Sequence, residues 1–147
     1  MKNLKLLIAI YFAILSMQAT AAPALELLAL DPSELQKIEL ESLPSIPLGG
    51  TDVHEHAEKV LHMGDFVVAI YEAEPALFPV SSPFPYDEFI YVLEGELILT
   101  DMDGNEAVHR VGDMVNIPRG WMGTWHMTSQ YRELVIVDAE AWAGTKE

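Results

Sequence analysis

At 147 residues the chain is long enough for one domain with a single core. Half of it is hydrophobic, which excludes an acidic disordered chain. The 23 acidic against 8 basic residues, a formal charge of -15, exclude a phosphate-neutralising nucleic-acid surface, and with no cysteine there is neither disulfide nor thiolate chemistry.

The chain opens with Lys2 and Lys5, an apolar run from Leu6 to Met17, and small residues in an Ala-x-Ala arrangement ending at Ala21-Ala22. This is the pattern of a signal peptide over residues 1–21, and the run is shorter than the roughly 20 residues a membrane span needs. Export to the bacterial periplasm or medium is therefore expected, with no membrane attachment after cleavage. Residues 22–50 read as an N-terminal arm. Asp31 as cap, Pro32 at the first helical position and Glu34 in the first turn predict a brief helix near 32–41, stopped by Pro44 and Pro47. Such an arm is too small for its own core and is expected to cover an edge or end of the main domain.

Residues 51–140 carry that domain, and 141–147 a short tail with Trp142 just inside it. The segment 51–62 holds His54, His56 and His62. On a strand His54 and His56 would share a face, so that with Glu58 or His62 they offer nitrogen and oxygen ligands to a transition metal. A solvated surface segment is the plainer reading of the same residues. Phe66 to Tyr71 is strand-like, and the four prolines of residues 75–85 predict a stiff extended loop. Strands are expected at Glu88–Leu93, Leu97–Thr100, Val108–Val111, Met114–Ile117, Trp121–Met127 and Arg132–Asp138, punctuated by turns at Gly95, Asp103-Gly104 and Pro118-Arg119-Gly120. Period two puts Glu88, Ile90 and Val92 on one face and Phe89, Tyr91 and Leu93 on the other. The expectation is an all-β fold, a single small antiparallel barrel of jelly-roll type.

Two stretches are specific enough to carry a resemblance. Glu88-Phe89-Ile90-Tyr91-Val92-Leu93-Glu94-Gly95 and Gly112-Asp113-x-x-x-Ile117-Pro118-x-Gly120 resemble the paired motifs of the cupin superfamily. Tyr86-Asp87-Glu88, Gly123-Thr124-Trp125 and Arg132-Glu133-Leu134 are similar to the branch containing the ureidoglycine aminohydrolases. The resemblance covers roughly residues 66–138. It implies a small barrel with a pocket in its mouth, and a homodimer, since cupins commonly pair. Fold carries over more readily than reaction, because one scaffold hosts many activities.

In metal-binding cupins a His-x-His pair precedes the glutamate and a third histidine comes after the second motif. Here those positions fall around Ser81 to Phe84 and on Gly123, so only Glu88 is retained. One carboxylate does not specify a metal, and no cofactor is expected at the motif positions. A site for Mn, Fe, Ni or Zn would have to join Glu88 to His54, His56, His62 or His126, and the parity of 123, 125 and 127 turns His126 away from the pocket. Without metal, Glu88 is the candidate acid or base, with Tyr71, Tyr86, Trp125 and Met127 as ligand contacts. The structural alternative has Glu88 accepting hydrogen bonds from Tyr86, Arg132 or backbone N–H groups at the strand start. Trp121 reads as core or pocket wall, Arg119 as a solvated turn residue, and His109 as an ordinary strand histidine. Three functions fit: binding a small polar metabolite in the pocket, a metal-dependent enzyme acting on an amide- or ureide-like molecule, and a structural or assembly role.

Overall fold

Alternation along the strands decides which side chains meet. In Glu88–Glu94, Ile90 and Val92 are fully buried in one apolar cluster, while Tyr91 and Leu93 belong to another on the opposite face. The computed structural model describes residues 27–144, so the leader read over 1–21 lies outside the described residues.

In chain order the elements are α1 (Pro32–Leu35), β1 (Glu41–Ser42), β2 (Ile46–Leu48), β3 (Thr51–Val53), β4 (His56–Met63), β5 (Phe66–Ala73) and β6 (Ala76–Val80). They continue with β7 (Glu88–Glu94), β8 (Glu96–Asp101), β9 (Glu106–Arg110), β10 (Met114–Ile117), β11 (Gly123–Met127), β12 (Tyr131–Asp138) and α2 (Ala139–Gly144). Every strand pairing is antiparallel. Six strands form one sheet in the order β1-β4-β5-β12-β7-β10, four form a second in the order β6-β11-β8-β9, and β2-β3 is a separate hairpin. The result is a β-sandwich with short helical segments. Its central core joins Ile90, Val92 and Tyr131 of the larger sheet to Leu97, Leu99 and Trp125 of the smaller. Burying each such side chain is worth about 1.5–3 kcal/mol.

Several expectations need correction. The helix predicted near 32–41 is a single turn. Asp31 caps it through Ser33 N–H at 2.8 Å. It stops because the carbonyls of Gln36 and Ile38, which a longer helix would use itself, accept from the Arg132 guanidinium. Residues 56–63 are not a solvated lead-in but β4, paired along its length with β5. The proline-rich stretch contains β6, which tolerates Pro79 because it is an edge strand. The arm does add β1 to the free edge of β4, but it also spreads Leu35, Ile38 and Leu40 over the outer face of the six-stranded sheet. Among the described residues no helix is long and apolar enough to cross a membrane.

The turn between β8 and β9 is built around Asp101. Its carboxylate accepts from Asp103 N–H, Asn105 N–H and the Asn105 amide, all at 2.9 Å, which holds its pKa below the usual carboxylate value. Gly104 closes the turn at φ +85°, and a β-carbon there would meet nothing within 4 Å. Gly104→Val is therefore expected to cost backbone strain alone, about 1–2 kcal/mol. Urea denaturation of both proteins measures it, and equal midpoints would refute a strained turn.

Candidate ligand cavity

The inner face of the six-stranded sheet is apolar at its centre and carries polar residues toward both ends, because specific strand positions place them there. Glu58 on β4 pairs across to Tyr71 on β5, which pairs in turn to Glu133 on β12. His56 lies one inward position before Glu58, Tyr131 one before Glu133, and Glu88 begins β7 on the same side as Ile90 and Val92. These residues border a cavity of about 570 Å³. The smaller sheet supplies its opposite wall with Phe78, Trp125 and Met127, and the loop before β7 adds Phe84 and Tyr86. Phe78 and Phe84 each lie within 14° of parallel to Trp125, with ring centroids 6.2 and 6.5 Å away. Both chain ends complete the lining: Leu43, Pro44, Ile46 and Leu48 from the arm, and Trp142 from α2.

Two carboxyls dominate the electrostatics. Glu133 is 5% exposed and one of its oxygens accepts from the Tyr131 hydroxyl at 2.7 Å. Glu88 is partly buried, and among the described residues no hydrogen bond reaches its carboxyl. Desolvation raises the pKa of both toward the neutral region, and for Glu133 the neighbouring Glu88 charge raises it further. The phenols respond in the same sense. Burial, then the acids beside them, raises Tyr71 and Tyr131 far above the usual range and pushes Tyr86 up to about 12, so all three remain neutral hydroxyls. A cavity of this kind presents lone pairs and hydroxyls from one wall and ring faces from the other.

Tyr71, Tyr86, Glu88, Trp125 and Met127, expected from sequence as ligand contacts, all line this one cavity. Glu133, Tyr131, Phe78, Phe84 and Trp142 line it too, and sequence reasoning missed them. Glu133 carried a usable signal: in Arg132–Asp138 it falls in period-two step with Val135 and Val137, a charged residue on the apolar side of a strand. The structural alternative for Glu88 fails for Arg132, which lies on the opposite face and bonds to the arm and to Glu72.

The histidines are dispersed. β3 ends at Val53 and β4 begins at His56, so no strand spans the His-x-His pair and the two do not share a face. His54 is exposed and bonds to Ser45 Oγ at 3.1 Å. His56 is buried, its Nε2 donating to the Pro44 carbonyl at 2.5 Å. His62 is exposed beside Phe66. His126 pairs with Leu77 and Ile98 on the outer side of the smaller sheet, and His109 sits on its edge strand β9. Among the described residues no group of three or more His, Asp or Glu is placed to hold a metal ion. At Gly123, where the resemblance would place a histidine, a β-carbon would collide with the Thr100 carbonyl oxygen and press on Trp121. The donor set therefore does not fit a cupin metal.

Two facing antiparallel sheets with a pocket between them define a cupin-type fold. The chain belongs to the EutQ-like cupin domain family, whose profile matches residues 60–133, half of the sequence. Among solved structures it is similar to the EutQ protein of Clostridium difficile, with a TM-score of 0.58 and 19% identity over 73% of this chain and 86% of the other. It is similar also to ethanolamine utilization protein Q of Salmonella typhimurium LT2, at 0.51 and 21% over 69% and 96%. The polyketide cyclase RemF of Streptomyces resistomycificus resembles it at 0.56 and 22% over 78% and 80%. At these identities the likeness is one of fold. No curated protein matches the chain.

Proposed function

We propose that this protein is an exported cupin that binds a small, partly polar metabolite between its sheets. One observation carries the reading: the Glu88 carboxyl borders a roughly 570 Å³ cavity, walled by aromatic rings, with no hydrogen bond from any described residue. The volume falls in the range of about 300–1,000 Å³ usual for small-molecule sites. A carboxyl left unpaired in such a place is free to contact a ligand. In this reading the leader over 1–21 directs export, and a homodimer is the working form. The sequence likeness to the ureidoglycine aminohydrolase branch favours a ligand rich in N–H groups.

A fluorescence screen of small polar aromatics, amides and amines tests the reading, because Trp125 and Trp142 line the site. Expected is at least one ligand that perturbs tryptophan emission and loses about tenfold or more affinity in Glu88→Gln, with the melting temperature not lowered. A screen without ligands, or ligands indifferent to Glu88→Gln, would overturn it. Light scattering on the eluting peak checks the homodimer, which a concentration-independent monomer would refute.

A further inference from the structure

The chemistry of the cavity walls narrows what can occupy it. Among the described residues three carboxyls line it, Glu58, Glu88 and Glu133, and no lysine or arginine does. The arginine nearest in sequence, Arg132, points to the outer face and is held there by the arm carbonyls and Glu72. Of these carboxyls, Glu88 accepts no hydrogen bond from a described residue. One oxygen of Glu133 accepts from Tyr131, and no hydrogen bond from a described residue reaches the other.

We propose that the cavity selects a protonated amine carried on a compact apolar or aromatic body, with its N–H groups on Glu88 and Glu133 and its cation against the Phe78–Trp125–Phe84 wall. The inference rests on the reading of the cavity as a ligand site. An ammonium supplies the donors these acceptors lack, and its charge is attracted both to carboxylate and to ring faces. A carboxylate or phosphate would meet three acids and no cationic side chain among the described lining residues, so the same walls reject anions.

The pair is also a proton store. Glu88 and Glu133 border the same cavity, Glu88 opposite Val137 and Glu133 opposite Val92 in the β7–β12 register; desolvation raises both pKa values toward neutrality, and an arriving cation favours their ionised form. The displaced proton passes to the buffer. The other titratable groups facing the pair are Glu58 and His56 from β4, Tyr71 from β5, Tyr86 from the loop and Tyr131 from β12; the smaller sheet contributes none to the lining.

Isothermal titration calorimetry on the full-length protein tests this with phenethylamine, phenethyl alcohol and hydrocinnamate, near neutral pH in two buffers of different ionisation enthalpy. The expected result is phenethylamine binding about tenfold or more tighter than the alcohol, no measurable hydrocinnamate binding, and net proton release with the amine only. Glu88→Gln and Glu133→Gln, isosteric changes, should each reduce that preference and the proton release. Alcohol or hydrocinnamate binding as tightly as the amine would overturn cation selection while leaving a ligand site. Amine binding without proton release, or unchanged in both variants, would overturn the assigned contacts. Failure of all three compounds at millimolar concentration would overturn the inference, and an empty broader screen would then remove the reading beneath it.

Discussion

Arg132→Met is expected to destabilise the fold by about 3–5 kcal/mol, the usual cost of stripping one member from a buried charged cluster. Arg132 is 7% exposed, and its guanidinium donates to the Gln36 carbonyl at 2.9 Å and to the Ile38 carbonyl and meets Glu72 at 3.3 Å. Methionine keeps the apolar stem but leaves two arm carbonyls without donors and strands the Glu72 charge. The consequence is local as well as global. Arg132 and Gln36, whose amide donates to the Leu93 carbonyl at 2.8 Å, are the polar fasteners that hold Leu35, Ile38 and Leu40 on the outer sheet face. Urea unfolding gives the stability change, and limited proteolysis reports whether residues 27–40 come free. A loss below about 1 kcal/mol with the arm still protected would show that apolar contact alone holds it.

The second large effect is a dependence on pH. Glu88 and Glu133 have folded-state pKa values raised from the ordinary 4.5 toward neutrality, first by desolvation. Between the unfolded and folded values the native state holds more protons than the unfolded chain. Stability is therefore greatest in mild acid and falls as pH rises to neutral, by up to about 1.4 kcal/mol per pH unit for each group, before levelling off. Carboxylates held low by hydrogen bonds, Asp31 and Asp101 first by the Ser33 and Asn105 side chains and Glu74 by backbone N–H groups, act in the opposite direction but are exposed, so their weight is small. Glu133→Gln isolates the effect, since glutamine still accepts from Tyr131. The variant is expected to match its parent near pH 4 and to be more stable than it above neutrality. Denaturant unfolding across that range measures the slope, and parallel curves for the two proteins would sink the assignment.

The fold was far more legible in the sequence than the site, for a physical reason. Strand alternation is local: Ile90 and Val92 against Tyr91 and Leu93 can be read from seven residues, and so could the turns at Gly95 and Gly104. The same parity correctly turned His126 outward. What local pattern does not show is which strands become neighbours. Glu58, Tyr71 and Glu133 are remote in sequence and meet only because β4, β5 and β12 lie side by side. β4 itself was hidden because its outward and inward positions both carry polar residues, so its alternation is masked. The β6 strand was hidden by Pro79, which forbids a central strand but not an edge. Trp142 stood outside every motif and reaches the cavity only through the short α2 turn.

The cavity takes its rim from Leu43 to Leu48 and from Trp142, whereas the family profile spans 60–133. A fragment trimmed to that span would keep Glu88, Glu133 and the aromatic wall while losing His56, Glu58 and the rim. On the proposed reading, changes in these two flanks would alter the cavity while leaving most of both sheets in place. The scaffold and the proposed ligand contacts are thus carried by partly separate stretches of the chain.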